Sequence, residues 1–281
     1  MNIRDLGTLD QPVLLFGGVY SNLEALSELE ALADAGDVPV ARRICTGDLV
    51  AYCADPRAVM DRFLHAAYPI VAGNCERQIA ADADDCGCGF DAGSTCSILS
   101  MAWYSHARAA LDAAHRAFCA DVPDILTFRH CGKRFAVIHG GVTDIARFLW
   151  PVSDAADFAA EIKILTDAVG PVDAVVAGHS GVAFLRRIGG VGWINAGAIG
   201  MTDNTGDPRT AYVLLQDGRA EIRRLDYDHV SARRAMIAAG LTQGYHEALV
   251  TGHWPSEDVL PDVMRRDYPG SGPALETVMQ L

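Results

Sequence analysis

The amino-acid sequence predicts an α/β fold, a sandwich of two mixed β-sheets flanked by helices. Three observations predict it. Short apolar runs alternate with amphipathic helical stretches through the first half of the chain. In the second half, pairs of apolar runs flank glycine-containing turns. Four polar residues, Asp48, Asn74, His139 and His179, each follow a strand-like run by a residue or two, each beside a glycine. Ligands collect beyond the carboxyl ends of strands in α/β sheets, so these four loops are expected to converge.

In chain order, Pro12–Phe16 reads as a strand and Leu23–Ala35 as an amphipathic helix, apolar at 23, 26 and 29. Pro39–Thr46 reads as a second strand stopping at "GDLVAY", Pro56–Ala67 as a helix, and Pro69–Ala72 as a short strand stopping at "GNCE". Residues 82–97, "DADDCGCGFDAGSTCS", lack periodicity and read as a loop. A helical pair covers roughly 98–119. Ile125–Arg129 and Arg134–His139 form a hairpin about "HCGK", Ala155–Val169 is a helix, and Ala174–Ala177 is a strand ending in "GHSG". Ala183–Ile188 with Gly192–Asn195, and Thr210–Leu215 with Ala220–Leu225, carry hairpin signals, the second of the Asp-Gly type. Residues 229–281 read as helical, then irregular. The expected organisation is one domain over 1–230, with 78–125 as a cap or insert, and a C-terminal helical extension over 231–281.

The 281 residues suffice for one large α/β domain with an appendage, or for two small ones. Half are hydrophobic and the mean hydropathy is +0.13, which argues against disorder. The net charge of −13 argues against nucleic acid or an anionic membrane as main partner, since both need clustered Lys and Arg. No run reaches transmembrane length and no signal-peptide core is present, so a cytoplasmic protein is expected. In that compartment the eight cysteines read as free thiols or metal ligands rather than disulfides.

Asp, Asn and two His form a mixed oxygen and nitrogen set suited to one divalent transition metal: Mn, Fe or Zn. Each alone is commonplace, "GD" and "GN" being ordinary turn dipeptides. Their order and surroundings carry the signal. The stretches "GGVYSNLEAL", "GDLVAYCADP", "GNCER", "VIHGG", "GHSGVAFLRRIGGVGWINAGAIG" and "GDPRTAYVLL" resemble the calcineurin-like metallophosphoesterases. Within that superfamily they are most similar to the bacterial and archaeal group of diadenosine-tetraphosphatase-like and small phosphodiesterase-like proteins, over about residues 12–228. The resemblance implies a metal-dependent hydrolase of a phosphate ester or anhydride, acting on a small phosphate ester or nucleotide at a two-metal site.

Carried over residue by residue, the resemblance implies that one metal position survives, on Asp48, Asn74, His139 and His179. The other is degenerate. Gly18 stands where the family has an Asp, Tyr20 where it has a His, and Gly181 where it has the second His of Gly-His-x-His. Cys75 replaces the family His after Asn74, the residue that helps protonate the leaving oxygen. Asn22 and the helix after it are expected to remain as the fold-forming part of the emptied loop.

Cys53, Cys75, Cys86, Cys88 and Cys96 form a candidate second site, for a thiolate-bound metal or an iron–sulfur cluster. Against this, Cys-x-Cys is weaker than paired Cys-x-x-Cys, and a free Cys is often a small buried apolar residue, as expected for Cys45, Cys119 and Cys131. His246 and His253 read as solvated, and Arg186 with Arg187 as a surface pair on a hairpin. Three functions follow: a divergent phosphoesterase, a phosphate- or nucleotide-binding pseudo-phosphatase, and a thiolate metal or redox centre on the same fold. The surviving ligand set favours the first.

Overall fold

The protein is described by a computed structural model covering residues 1–91, 93–270 and 274–281. Its strands and helices run β1 (Ile3–Thr8), β2 (Val13–Phe16), α1 (Leu23–Ala35), β3 (Arg43–Cys45), α2 (Pro56–Ala66), α3 (Asn74–Ala80), α4 (Thr95–Ala110), α5 (Ala113–Asp121), β4 (Ile125–His130) and β5 (Lys133–Val137). There follow α6 (Ala155–Val169), β6 (Ala174–Ala177), β7 (Ala183–Ile188), β8 (Val191–Ala196), β9 (Thr210–Gln216), β10 (Arg219–Leu225), α7 (His229–Ala238), α8 (Tyr245–Thr251) and β11 (Val278–Gln280).

Two mixed sheets result, ordered β1-β4-β5-β6-β8-β7 and β11-β10-β9-β2-β3. β2 and β6 are buried at every residue, which is why they read as unbroken apolar runs rather than alternating ones. Leu15, Ile44, Phe128, Phe135, Val176, Ile194 and Val213 interlock between the sheets. Helix α6 covers the outer face of the first sheet through Phe158 and Leu165, against Phe184 and Trp193. The other helices cover the second sheet in one continuous cluster, from Leu26 and Phe63 through Trp103 to Met236 and Leu249. Helix α1 starts at Asn22, whose Oδ1 accepts from Ala25 N (3.1 Å) while its Nδ2 donates to Gly200 O (3.0 Å) and Tyr227 Oη (3.1 Å). The retained Asn22 is therefore a helix cap that also ties two distant loops together.

All three hairpin turns place two consecutive residues at positive φ, the conformation that matches the twist of the strands: Cys131-Gly132, Gly189-Gly190 and Asp217-Gly218. Helix α6 and strand β6 fall on the residues expected for them.

Several expectations need correction. Pro39–Thr46 is not one strand: Val40–Arg42 is a 3-10 turn, leaving only Arg43–Cys45 in the sheet. Pro69–Ala72 makes a single bridge, Ile70 to Cys45, because the chain turns away at Gly73. The loop at 82–97 ends early, since Ser94 caps α4 at Thr95; residue 92 within it lies outside the described residues, as do 271–273 in the C-terminal extension. Strand β1 was illegible because it is an exposed edge, pairing parallel to β4 with polar residues on both faces. No helix among the described residues is long and apolar enough to cross a membrane.

Candidate metal centre

Parallel pairing of β2 with β3, and of β6 with β5 and β8, brings the carboxyl ends of these strands to one side within each sheet. The loop after β3 carries Asp48, that after β5 carries His139, that after β6 carries His179, and Asn74 opens α3. Glycines make this possible by proximity rather than by flexibility. A Cβ on Gly73 would lie 2.2 Å from Asp48 Oδ1, and one on Gly17 or Gly178 would strike Thr46 Oγ1 at 2.1 or 2.4 Å. Asp48 and His179 themselves hold left-handed backbone, φ +59° and +61°, which side chains rarely adopt and which recurs at functional sites.

The four expected residues meet. His139 Nε2 lies 3.1 Å from Asn74 Oδ1, 3.1 Å from His179 Nδ1 and 3.3 Å from Asp48 Oδ2. Asp48, His139 and His179 form the group of three metal-competent side chains found among the described residues. Their orientation is fixed from outside. His139 Nδ1 donates to Thr46 O (2.6 Å), the usual outer partner of a ligating imidazole, which leaves its Nε2 as a lone pair. Asn74 Nδ2 donates to Cys86 O (2.9 Å) and Cys88 Sγ (3.4 Å), which turns its Oδ1 inward. Asn195 Nδ2 donates to Gly178 O (2.8 Å) and Ser180 Oγ (3.1 Å), fixing the His179 loop.

Lone pairs on two oxygens and two nitrogens thus converge in a buried space. A single proton on His139 Nε2 can serve only one neighbour at a time; a cation serves all four. Burial alone would raise the Asp48 pKa, but the imidazole of His139 beside it holds the carboxyl below its usual range. Burial alone would lower His139, yet Asp48 raises it. Burial, with His139 adding to it, pushes His179 down to about 3, so that ring is neutral and free to ligate. His179 Nε2 is buried without a partner. The residues fit one divalent metal, with the donor chemistry of Mn, Fe or Zn.

At the second position that the resemblance implies, the Tyr20 side chain stands among the residues expected there. A Cβ on Gly18 would lie 2.5 Å from Cζ and 2.7 Å from Cε2 of Tyr20, and one on Gly181 would lie 3.6 Å from the Tyr20 hydroxyl. The tyrosine side chain therefore spans the two replaced positions, packed edge-on against Tyr52 (4.9 Å), which lies over Tyr245 (4.4 Å). An aromatic cluster occupies the volume where the resemblance implies ligands.

The cysteines are partly gathered. Cys75 and Cys88 flank the Asn74 amide, at 3.6 and 3.4 Å. Cys96 Sγ turns to Ser256 Oγ (3.5 Å), and Cys53 Sγ donates to Gly200 O (3.7 Å). Burial raises the Cys75 thiol well above its usual value, with Asp48 adding to it, so the thiol stays protonated. The expectation of free thiols fails at Cys86 and Cys88, which are paired in a disulfide. The intervening Gly87, at φ +59°, brings their Cα atoms to 5.3 Å. Cys45 and Cys119 are buried as expected, but Cys131 is exposed in its turn.

The cavity above the centre is lined by Asp48, His179 and Tyr20, by Cys88, Phe90 and Cys96 from the 78–125 segment, and by Tyr245, Trp254, Ser256 and Val259 from the C-terminal extension. Phe148 lies tilted at 4.3 Å from His179 and stacks parallel to Trp150 (5.3 Å). His246 and His253 are half-buried rather than fully solvated, and the Nδ1 of each is buried without a partner. Of the arginine pair on the β7–β8 hairpin, Arg187 is exposed as expected, while Arg186 is half-buried, its guanidinium lying over Phe158 (4.6 Å) and donating to Ser153 O (2.6 Å).

Sequence reasoning missed Glu76. It is fully buried, and its carboxylate accepts from Asp48 N and Leu49 N (2.8 Å each) and from Gly73 N (2.7 Å). The Gly73-x-x-Glu76 spacing, half of a capping box, was its signal. Tyr52, Phe148, Tyr245 and Trp254 carry no such pattern.

A two-sheet sandwich with Asp, Asn and two His at its strand ends is the architecture of a metallophosphoesterase. The chain belongs to that superfamily: the family model for the calcineurin-like phosphoesterase superfamily domain matches residues 22–218. Among solved structures it is similar to a metallophosphoesterase from Sphaerobacter thermophilus, at 21% identity over 87% of this chain and 100% of that one, TM-score 0.66. It is also similar to a hypothetical protein from Pyrococcus horikoshii OT3, at 14% identity over 86% of this chain and 99% of that one, TM-score 0.67. At these identities the likeness speaks for the fold. No curated protein matches.

Proposed function

We propose that the protein is a one-metal phosphoesterase that hydrolyses a small phosphate ester or anhydride, its family's second metal having been replaced by Tyr20. The observation that carries this is the convergence of Asp48 Oδ2, Asn74 Oδ1, His139 Nε2 and His179 Nδ1 in a buried space that a proton alone cannot satisfy. These four residues would hold the cation. When bound, it supplies Lewis-acid polarisation and charge neutralisation at a phosphoryl group.

The chain's own side chains do the rest. Thr46 and Asn195 keep the two imidazoles aimed, Asn74 is held by the Cys86 carbonyl, and Phe148, Trp150 and Trp254 exclude water from the cavity. The Tyr20 hydroxyl is a neutral donor at the cavity wall.

One observation favours the second reading, a phosphate-binding pseudo-phosphatase. At the place of the family's proton-donating His stands Cys75, buried and protonated, hydrogen-bonded to an amide rather than facing open cavity. The test is metal content and turnover measured together. The wild-type protein loaded with Mn or Zn should carry one metal per chain, lost in Asp48→Ala, and should hydrolyse a simple aryl phosphate above that variant. Metal bound without turnover would select the binding protein. No Asp48-dependent metal would end both readings.

A further inference from the structure

We infer that the Cys86–Cys88 disulfide positions Asn74 for the cation and makes the centre redox-sensitive, binding metal tightly with the disulfide closed and weakly with it reduced. The inference rests on the proposed cation at Asp48 and adds a control to that same site.

The disulfide turn touches a ligand directly. Asn74 would ligate through an amide, which carries an acceptor at one end and two donors at the other. Its Nδ2 donates to Cys86 O (2.9 Å) and Cys88 Sγ (3.4 Å), which leaves Oδ1 facing His139 Nε2 (3.1 Å). Both acceptors belong to the Cys86-Gly87-Cys88 turn. A half-rotation of the amide would present N–H groups to the space where Asp48, His139 and His179 converge, and N–H groups repel a cation. The turn therefore decides which end of Asn74 faces the metal.

The neighbouring residues seat this turn between two of the four ligands. A Cβ on Gly87 would lie 2.5 Å from Gln78 Nε2, so the turn packs directly on α3, the helix that Asn74 opens. Gly87 N donates to Asp85 Oδ1 (2.8 Å). On the other side, a Cβ on Gly89 would lie 3.2 Å from Ala146 O, and Phe90 stacks on Phe148 (6.3 Å), the ring beside His179. The same short stretch meets Asn74 directly and His179 through Phe148.

A disulfide that skips one residue removes little freedom from the unfolded chain, because that effect grows with loop length. Its effect here is local: it holds Cys88 Sγ against the amide. Cys88 also lines the cavity, so one sulfur of the bond borders the space a small solute would enter. A low-molecular-weight thiol attacking Cys88 Sγ forms a mixed disulfide and releases Cys86, which takes up a proton. A second thiol then attacks the mixed disulfide and releases Cys88 in the same way. Two thiols are oxidised to one disulfide, and two electrons and two protons pass to the two cysteines. A low-molecular-weight disulfide reverses the exchange. On reduction the two sulfurs must part to non-bonded contact, and Cys88, with the cavity on one side, has the room to move. The amide then loses one acceptor and the fixed place of the other.

The test is the Mn affinity of the full chain carrying Cys131→Ser, which removes the exposed thiol. It is measured calorimetrically after incubation with oxidised glutathione, and again after reduction with dithiothreitol and anaerobic desalting. Alkylation and mass measurement read the state of the pair in each sample. In parallel, NMR follows the Asn74 side-chain amide protons of metal-free protein, assigned by their loss in Asn74→Ala. Reduction should weaken Mn binding about tenfold or more, the size of effect seen when a hydrogen-bond partner of a metal ligand is lost. Cys86→Ala with Cys88→Ala should bind as weakly as the reduced protein and ignore dithiothreitol. The Asn74 amide protons should exchange slowly only in the oxidised protein. Equal or tighter Mn binding after reduction, a double variant that binds like the oxidised protein, or a pair that alkylates fully after oxidation would each overturn the inference. Failure of the cation reading is a separate result, read as no Asp48-dependent Mn in either state; the amide protons then still respond to reduction if the turn holds Asn74, and do not if it does not.

Discussion

Glu76 gives the sharpest test of how the site is held, because its contribution can be worked from three contacts. Its two oxygens accept the backbone N–H groups of Asp48, Leu49 and Gly73, so one side chain ties the Asp48 loop to the turn that opens α3. In Glu76→Ala, three buried donors lose their acceptor, at about 1–3 kcal/mol each. Two effects soften the sum. Burial first, and then the Asp48 charge, push the Glu76 carboxyl above its usual pKa despite the three donors, so the anion is held at a cost that truncation relieves. Water entering the vacated space would also serve some of the donors. The expected net loss is therefore toward the low end, about 3–5 kcal/mol. At roughly 2–4 °C per kcal/mol for a domain of this size, Tm should fall by roughly 6–20 °C, and Glu76→Gln, which keeps one acceptor oxygen, should fall less. Calorimetric melting of metal-free protein is the assay. A Glu76→Ala Tm within about 2 °C of wild type would refute the reasoning, since it would mean the N–H groups find partners without Glu76.

Two further outcomes are expected. Gly73 sits at φ −89°, which any residue adopts, but a Cβ there would lie 2.2 Å from Asp48 Oδ1 and 2.8 Å from Asp48 N, so Gly73→Ala should displace the Asp48 loop; elemental analysis of folded protein, checked by its melting, should find the metal lost, and undiminished metal would count against the site. Asp112 caps α5, accepting from Ala114 N, and the Arg57 guanidinium beside it lowers its carboxyl to about 2. A lowered pKa stabilises above the unfolded-state value of 3.8 and is lost as pH falls toward about 2, so the Tm gap between wild type and Asp112→Asn should close across that window; a gap unchanged from pH 5 to pH 3 would contradict it.

What the sequence made legible was what depends on short-range pattern. α6 and β6 could be read to the residue because their apolar periodicity and their ends agree. Asp48, Asn74, His139 and His179 stand beside glycines at strand ends, a commonplace pattern singly, and it was their order and surroundings, resembling the family's, that singled them out. Glu76 was missed because its partners are backbone N–H groups, which leave no trace in sequence beyond one spacing. The place of Trp254 at the cavity depends on the C-terminal segment crossing back, a contact between residues about 50 apart, Trp254 with Thr202 and Asn204. β1 was lost for the opposite reason: an edge strand with polar residues on both faces has no period to detect.

Gly18, Tyr20 and Gly181, the three positions at which the resemblance implies missing ligands, form a single steric unit in the structure. An Asp at 18 must pass through the Tyr20 ring, since its Cβ alone would lie 2.5 Å from Cζ, while a His at 181 must grow past the Tyr20 hydroxyl and Trp254. Restoring the family residue at 18 or 181 alone should therefore give a misfit and no second metal, whereas Tyr20→His alone vacates the space but supplies one ligand of three. Only the combination Gly18→Asp, Tyr20→His and Gly181→His both removes the ring and provides the donors, and it still requires Ala198, whose Cβ would lie 2.7 Å from the new Cβ at 18, to shift. It should bind two metals per chain where the wild type binds one, with the first still dependent on Asp48 and His139. Both glycines hold positive φ, +48° and +74°, so the triple variant should also melt lower without metal and recover on loading. A second metal in any single variant would show that Tyr20 does not block the position, and a folded triple variant that still binds one metal would show that these three residues are not what the second site lacks.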